Sequence, residues 1–150
     1  MEEQAAKELE LYFHIPFCVK KCSYCDFLSG PGSGRVKSRY MEALLSEAAG
    51  CACLYRDYTV DTVFLGGGTP SVVSVDAIER LMETVRGPYR LGADPEVSME
   101  VNPGTVSPEM LTRLRRAGIN RLSIGLQSAD DRLLAALGRI HTWEQFREAF

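Results

Sequence analysis

Four short runs rich in branched and aromatic residues recur along the chain, and stretches of helical period separate them. The runs are ELYFHI (10–15), VDTVFL (60–65), EVSMEV (96–101) and RLSIGL (121–126). Strands that alternate with helices return by crossovers, so the pattern predicts βαβ units, a parallel sheet and an α/β architecture. The first helix is expected from about Ser38 to Tyr55, with Tyr40, Leu44, Ala48, Cys51 and Tyr55 on one face. Ile78, Leu81, Met82 and Val85 form the stripe of a second. Ser107, Pro108 and Glu109 make a good start for a third, and Gly118 a natural stop. A short helix is expected from Asp130 to Leu137, ended by Gly138, and Thr142 with Gln145 predicts a capping box for a last one.

That last helix carries Trp143, Phe146 and Phe150 on one face, and no stop signal follows. The chain therefore reads as the N-terminal part of a longer protein, residues 1–150 of an incomplete sheet. Taken alone, such a piece is expected to be poorly soluble or to self-associate. No internal repeat or low-complexity tract interrupts the pattern.

A formal net charge of −3 over 150 residues gives no general attraction for nucleic acid or an anionic membrane. The opening MEEQAAKELE lacks the apolar core of a signal peptide, and no apolar run is long enough to span a bilayer. The expected location is the cytoplasm, where thiols stay reduced. An odd count of five cysteines also argues against a disulfide framework.

Three of those cysteines, Cys18, Cys22 and Cys25, sit at C-x-x-x-C-x-x-C spacing in CVKKCSYC, directly after the first strand. Three thiolates on one loop suit a metal, but closed sites usually take four ligands. A structural zinc with His14 or a distant fourth ligand is one reading. Against it, no second cysteine pair is available, since Cys51 and Cys53 fall on the first helix. His14 reads more simply as a strand side chain held by a hydrogen bond.

The other unusual residues also follow strands. GGGTP ends the second, Glu100, Asn102 and Pro103 close the third, and Gln127 and Ser128 follow the fourth. In α/β sheets and barrels that edge is where ligands bind. Glycines there let backbone approach a ligand, and a carboxylate at Glu100 can accept from hydroxyl or ammonium groups. Arg121 and Arg139 fit a surface role as well as a ligand role.

CVKKCSYC after YFHIPF, then GGGTPS, MEVNPG, NRLSIGLQS and LGRIHT, together resemble the radical S-adenosylmethionine superfamily, from Tyr12 to His141. The nearest branch is the one holding oxygen-independent coproporphyrinogen III oxidase and a related haem chaperone. The resemblance implies a partial (β/α) barrel of parallel strands with outer helices, here incomplete and without a C-terminal domain. It also implies a [4Fe–4S] cluster on Cys18, Cys22 and Cys25, with the fourth iron open to S-adenosylmethionine (SAM). By the same resemblance Tyr12, Tyr24, Gly67, Gly68, Thr69 and Glu100 would contact SAM. Gln127 and Arg139 match residues that touch a second SAM in the oxidase, and no catalytic residue is assigned.

Phe27 stands where the oxidase has a further cysteine, and the first strand begins without a long extension. The expected function is thus haem delivery by a chaperone, with oxidative decarboxylation of coproporphyrinogen as the alternative. Ser23 and Leu28 depart from the family's frequent proline and asparagine without touching the ligand set. Haem or a porphyrin, an electron donor and haem-accepting proteins are the partners the resemblance implies.

Overall fold

The computed structural model describes residues 7–150. Residues 1–6, part of the stretch read as lacking a leader, lie outside the described residues. Strands β1 (Lys7–Ile15), β2 (Tyr58–Gly67), β3 (Leu91–Val101) and β4 (Arg121–Ile124) form one sheet in the order β1-β2-β3-β4, every pair parallel. Between and after them lie α1 (Gly34–Cys51), α2 (Val75–Arg86), α3 (Pro108–Arg116), α4 (Asp131–Ala136) and α5 (Trp143–Ala149). Each crossover adds its strand on the same side of the last. A doubly wound sheet would reverse direction; this order is that of an open barrel wall.

The two faces of the wall differ because side chains alternate along each strand. One register row runs Phe13, Leu65, Met99 and Leu122, all apolar, and its first three members are buried. Ile78, Leu81, Met82 and Val85 of α2 are fully buried in the same core, matching the expected stripe. The adjacent row runs Tyr12, Phe64, Ser98 and Arg121, and one step further Glu100 pairs with Ser123. The polar face of the wall thus leads towards the strand ends.

Caps fix the helix ends. Ser74 and Ser107 each accept a backbone N–H at the start of α2 and α3, and Thr142 with Gln145 forms the expected capping box. Gly118 and Gly138 follow α3 and α4 with φ of +95° and +76°, the left-handed backbone that glycine adopts freely. On the outer surface Arg80 pairs with Glu42, and Arg113 with Asp76 and Glu79, tying α1 to α2 and α2 to α3.

Several boundaries differ from expectation, and β1 and β2 start earlier than the runs 10–15 and 60–65. Helix α1 begins at Gly34, because Ser33 inside the glycine-rich stretch caps it by accepting from Val36 N–H. Its buried face is Met41, Leu45 and Ala48, with Tyr40 and Leu44 half-buried, and Tyr55 lies past its end in a 3-10 turn. Two adjacent apolar stripes in YMEALL made the face ambiguous. Strand β3 begins at Leu91, since Val60 pairs with Leu91 and Thr62 with Glu96, so the irregularity around Gly92 and Pro95 hides the alternation. Strand β4 ends at Ile124, two residues early.

Candidate functional site

The cysteine loop is built on backbone anchors. Phe17 bridges to Gly30, Cys18 N–H donates to Gly30 O at 3.0 Å, and Gly30 N–H donates to Pro16 O at 3.0 Å, so both ends of the loop close on each other. Ser23 N–H reaches Leu137 O at the end of α4 (3.0 Å), and Lys21 Nζ donates to Phe27 O (3.0 Å). His14, on β1, lies 3.0 Å from Tyr12 Oη through Nδ1 and 3.1 Å from Leu28 O through Nε2. It holds the loop's far arm and is no cysteine partner, as its strand position suggested.

The glycine motif is sewn to the same place. Gly68 N–H donates to Ile15 O (3.0 Å) and Thr69 N–H to Phe17 O (2.7 Å), which lays the turn after β2 across the start of the cysteine loop. No side chain fits there: a Cβ on Gly68 would stand 2.6 Å from Phe17 O, and one on Gly67, at φ +113°, 2.6 Å from the His14 ring. Gly67 N–H donates to Glu100 Oε2 (3.0 Å), so the carboxylate ending β3 is oriented by the turn ending β2. Thr69 Oγ1 approaches Cys18 Sγ at 3.5 Å.

The segment after β4 completes the arrangement. Arg139 donates to Gly125 O (2.7 Å) and reaches Cys22 Sγ (3.6 Å) and Tyr24 Oη (3.5 Å). Gln127 has a φ of 66°, in the left-handed region, and Ser128 N–H closes a γ-turn onto Leu126 O (2.9 Å). A non-glycine residue held there costs about 1–3 kcal/mol, a strain that collects at functional sites.

These elements enclose an open cleft of about 230 Å³ at the C-terminal edge of the sheet. Cys18, Cys22, Cys25, Tyr24, Gly68, Thr69, Glu100, Gln127 and Arg139 all line it, beside Phe27. Two of the expected residues do not. Tyr12 stacks on Phe64 (centroids 6.0 Å apart), and Gly67 acts through its bond to Glu100. Lys20, Asn102, Thr105 and Ser123 line the cleft as well. The sequence reading gave Lys20, Thr105 and Ser123 no role. Strand alternation was the available signal for Ser123, which sits in register with Glu100. Arg121 pairs with Glu96 on the exposed surface instead.

Burial raises the Tyr12 hydroxyl above the ordinary tyrosine range, and the Glu100 carboxylate raises it further. Tyr24 is raised by burial too, with Arg139 opposing the shift. Behind the cleft His141 is buried, and neither ring nitrogen has a hydrogen-bond partner among the described residues. Burial pushes its pKa down, and the Arg139 guanidinium does the same; the Leu126 backbone acts the other way without bonding in good geometry.

The donor set fits an iron–sulfur cluster better than one ion. Among the described residues no three Cys, His, Asp or Glu side chains gather tightly enough for a single metal ion, as zinc needs. Thiolates on three irons of a cube stand farther apart than thiolates on one ion, and three cysteines of one loop line this cleft. The donors at Cys18 and Cys22 are of the kind that tune a cluster's potential.

Comparison with known proteins agrees with this geometry. The model of the Radical SAM superfamily matches residues 12–150. The haem chaperone HemW of Escherichia coli (strain K12) is 44% identical over 142 residues, covering 94% of this chain and 38% of the relative. The mouse mitochondrial protein named radical S-adenosyl methionine domain-containing protein 1 is 41% identical over 140 residues, 93% of this chain and 32% of its own length. The solved structure of coproporphyrinogen III oxidase (HemN) from Escherichia coli, described as a radical SAM enzyme, superposes with a TM-score of 0.86 at 33% identity, over 95% of this chain and 35% of that one. The chain thus spans about a third of each of these proteins, 32% to 38% of their length. With its open parallel wall, its cysteine loop and this match, the chain belongs to the radical SAM superfamily.

Proposed function

We propose that residues 1–150 are the N-terminal part of the radical SAM core of a haem-handling chaperone. The observation that carries the reading is the convergence of the cysteine loop, the glycine turn and Glu100 on one cleft. Cys18, Cys22 and Cys25 hold a [4Fe–4S] cluster, which when bound supplies an electron for reductive cleavage of a C–S bond in SAM. Glu100, set by Gly67 N–H, receives the ammonium of the cofactor's amino-acid end. Gly68 and Thr69 shape the wall beside it, and Tyr24, backed by Arg139, faces the cleft from the loop. Tyr12 stands outside the lining and supports His14 and, through it, the loop. Gln127 and Arg139, which line the same cleft after β4, would contact a second ligand there.

Phe27 and the relatives named as haem chaperones support the chaperone role, with haem as cargo; an electron donor, haem-accepting clients and a cytoplasmic location belong to the same proposal. Among the described residues no helix is long and apolar enough to cross a membrane. A second reading, oxidative decarboxylation of coproporphyrinogen, draws on the likeness to the solved oxidase. Anaerobic reconstitution followed by EPR with and without SAM tests the site. The signal is expected to change with SAM, and Cys22→Ala to abolish assembly. A signal indifferent to SAM, or full iron in the variant, refutes the ligand set. Conversion of coproporphyrinogen by the full-length protein favours the oxidase.

A further inference from the structure

We propose that Lys20 is a carboxylate-binding residue of the cleft, an inference that rests on the cofactor reading above. CVKKC carries two adjacent lysines, and the structure separates them. Lys21 is a strut: its Nζ donates to Phe27 O across the loop and does not line the cleft. Lys20 lines the cleft, is exposed, and makes no ion pair or side-chain hydrogen bond among the described residues.

The other charges there are already engaged. Arg139 is shared among Gly125 O, Tyr24 Oη and Cys22 Sγ, and Glu100 is bound by Gly67 N–H. The backbone donors that a glycine turn usually offers an anion are also spent, Gly68 N–H on Ile15 O and Thr69 N–H on Phe17 O. A phosphate is ordinarily held by several such donors together. The cation of the lining left without a partner among the described residues is the Lys20 ammonium, a point charge suited to a single carboxylate. That carboxylate has two sources under the proposed function: the amino-acid end of SAM, or a propionate of a tetrapyrrole.

The test uses the full-length protein with its cluster reconstituted anaerobically. Lys20→Met, Lys20→Arg and, as control, Lys21→Met are compared with wild type by equilibrium titration. The ligands are SAM, decarboxylated SAM, haem and haem dimethyl ester. Lys20→Met is expected to weaken one carboxylate-bearing ligand about two- to fivefold, the range for an exposed ion pair, and to leave its carboxylate-free counterpart unchanged. Lys20→Arg restores most of the affinity, and iron content stays at wild type throughout. A loss confined to SAM assigns the cofactor's carboxylate, and a loss confined to haem assigns a propionate. Unchanged binding of both, or equal loss for a ligand and its carboxylate-free form, overturns the proposal while leaving the cluster site intact. A wild-type protein that assembles no cluster refutes the underlying reading and this inference with it.

Discussion

Gly68→Ala exposes how closely the glycine turn and the cysteine loop depend on each other. The added methyl would stand 2.6 Å from Phe17 O and 2.8 Å from Phe17 N, both backbone atoms that have no rotamer to change. Ordinary contact begins near 3.4 Å, so the two segments must part by about 0.8 Å. That movement takes the Gly68–Ile15 bond, now 3.0 Å, out of hydrogen-bonding range and strains the 2.7 Å bond from Thr69 to Phe17. Overpacking costs roughly 1–3 kcal/mol and a lost hydrogen bond about 1, so a destabilisation of about 2–4 kcal/mol is expected. Gly50→Ala is the matched control, since nothing lies within 4 Å of its added methyl in the last turn of α1. That change should stabilise by about 0.5–1 kcal/mol. Urea titration at unchanged slope reads both: the midpoint should fall by about 1–2 M for the first and rise slightly for the second. Iron per chain after reconstitution should also drop for Gly68→Ala, because Cys18 follows Phe17. A Gly68→Ala protein as stable as wild type, with full iron, would refute the argument that these backbones are locked.

Glu100→Ala should leave iron content near wild type and weaken SAM binding by about ten- to a hundredfold, as measured by titration; unchanged binding would demote Glu100 to a bystander. His141, whose folded pKa lies below its ordinary value, makes stability fall with acid: the unfolded chain takes up the proton near pH 6.5 while the buried ring resists it. Denaturation midpoints should therefore be flat above pH 7 and decline below about 6.5, and His141→Gln should flatten that decline. Trp143, Phe146 and Phe150 stack ring on ring with Phe150 89% exposed, so light scattering on the isolated 150 residues should show self-association that Phe146→Ser with Phe150→Ser reduces.

Periodic and capped elements were legible from residues alone. The α2 stripe, the Ser107 cap and the Thr142–Gln145 box need only local chemistry. The start of α1 was not, because Ser33 acts as a cap inside a run that otherwise reads as loop. Convergence of the strand-end residues followed from parallel topology. What each does there did not: that Gly67 orients Glu100, that Arg139 reaches back to Cys22, and that Lys20 and Lys21 diverge are facts of three-dimensional spacing. Tyr12, which a motif match placed with the ligand-contacting residues, also lies 3.0 Å from His14 Nδ1, a contact that its position in the sequence did not announce.

The anchors of the cysteine loop run through peptide groups and one histidine, from Cys18 N–H to Gly30 O, Ser23 N–H to Leu137 O, and His14 to Leu28 O. None of these bonds is made by sulfur. A zinc finger, by contrast, owes its fold to its ion and unravels when the ion leaves. The loop's anchoring does not pass through sulfur here, so oxidative loss of a cluster is expected to empty the loop without unmaking it. Damage by oxygen then becomes a matter of refilling, and a cell could repair such a protein in place instead of synthesising another.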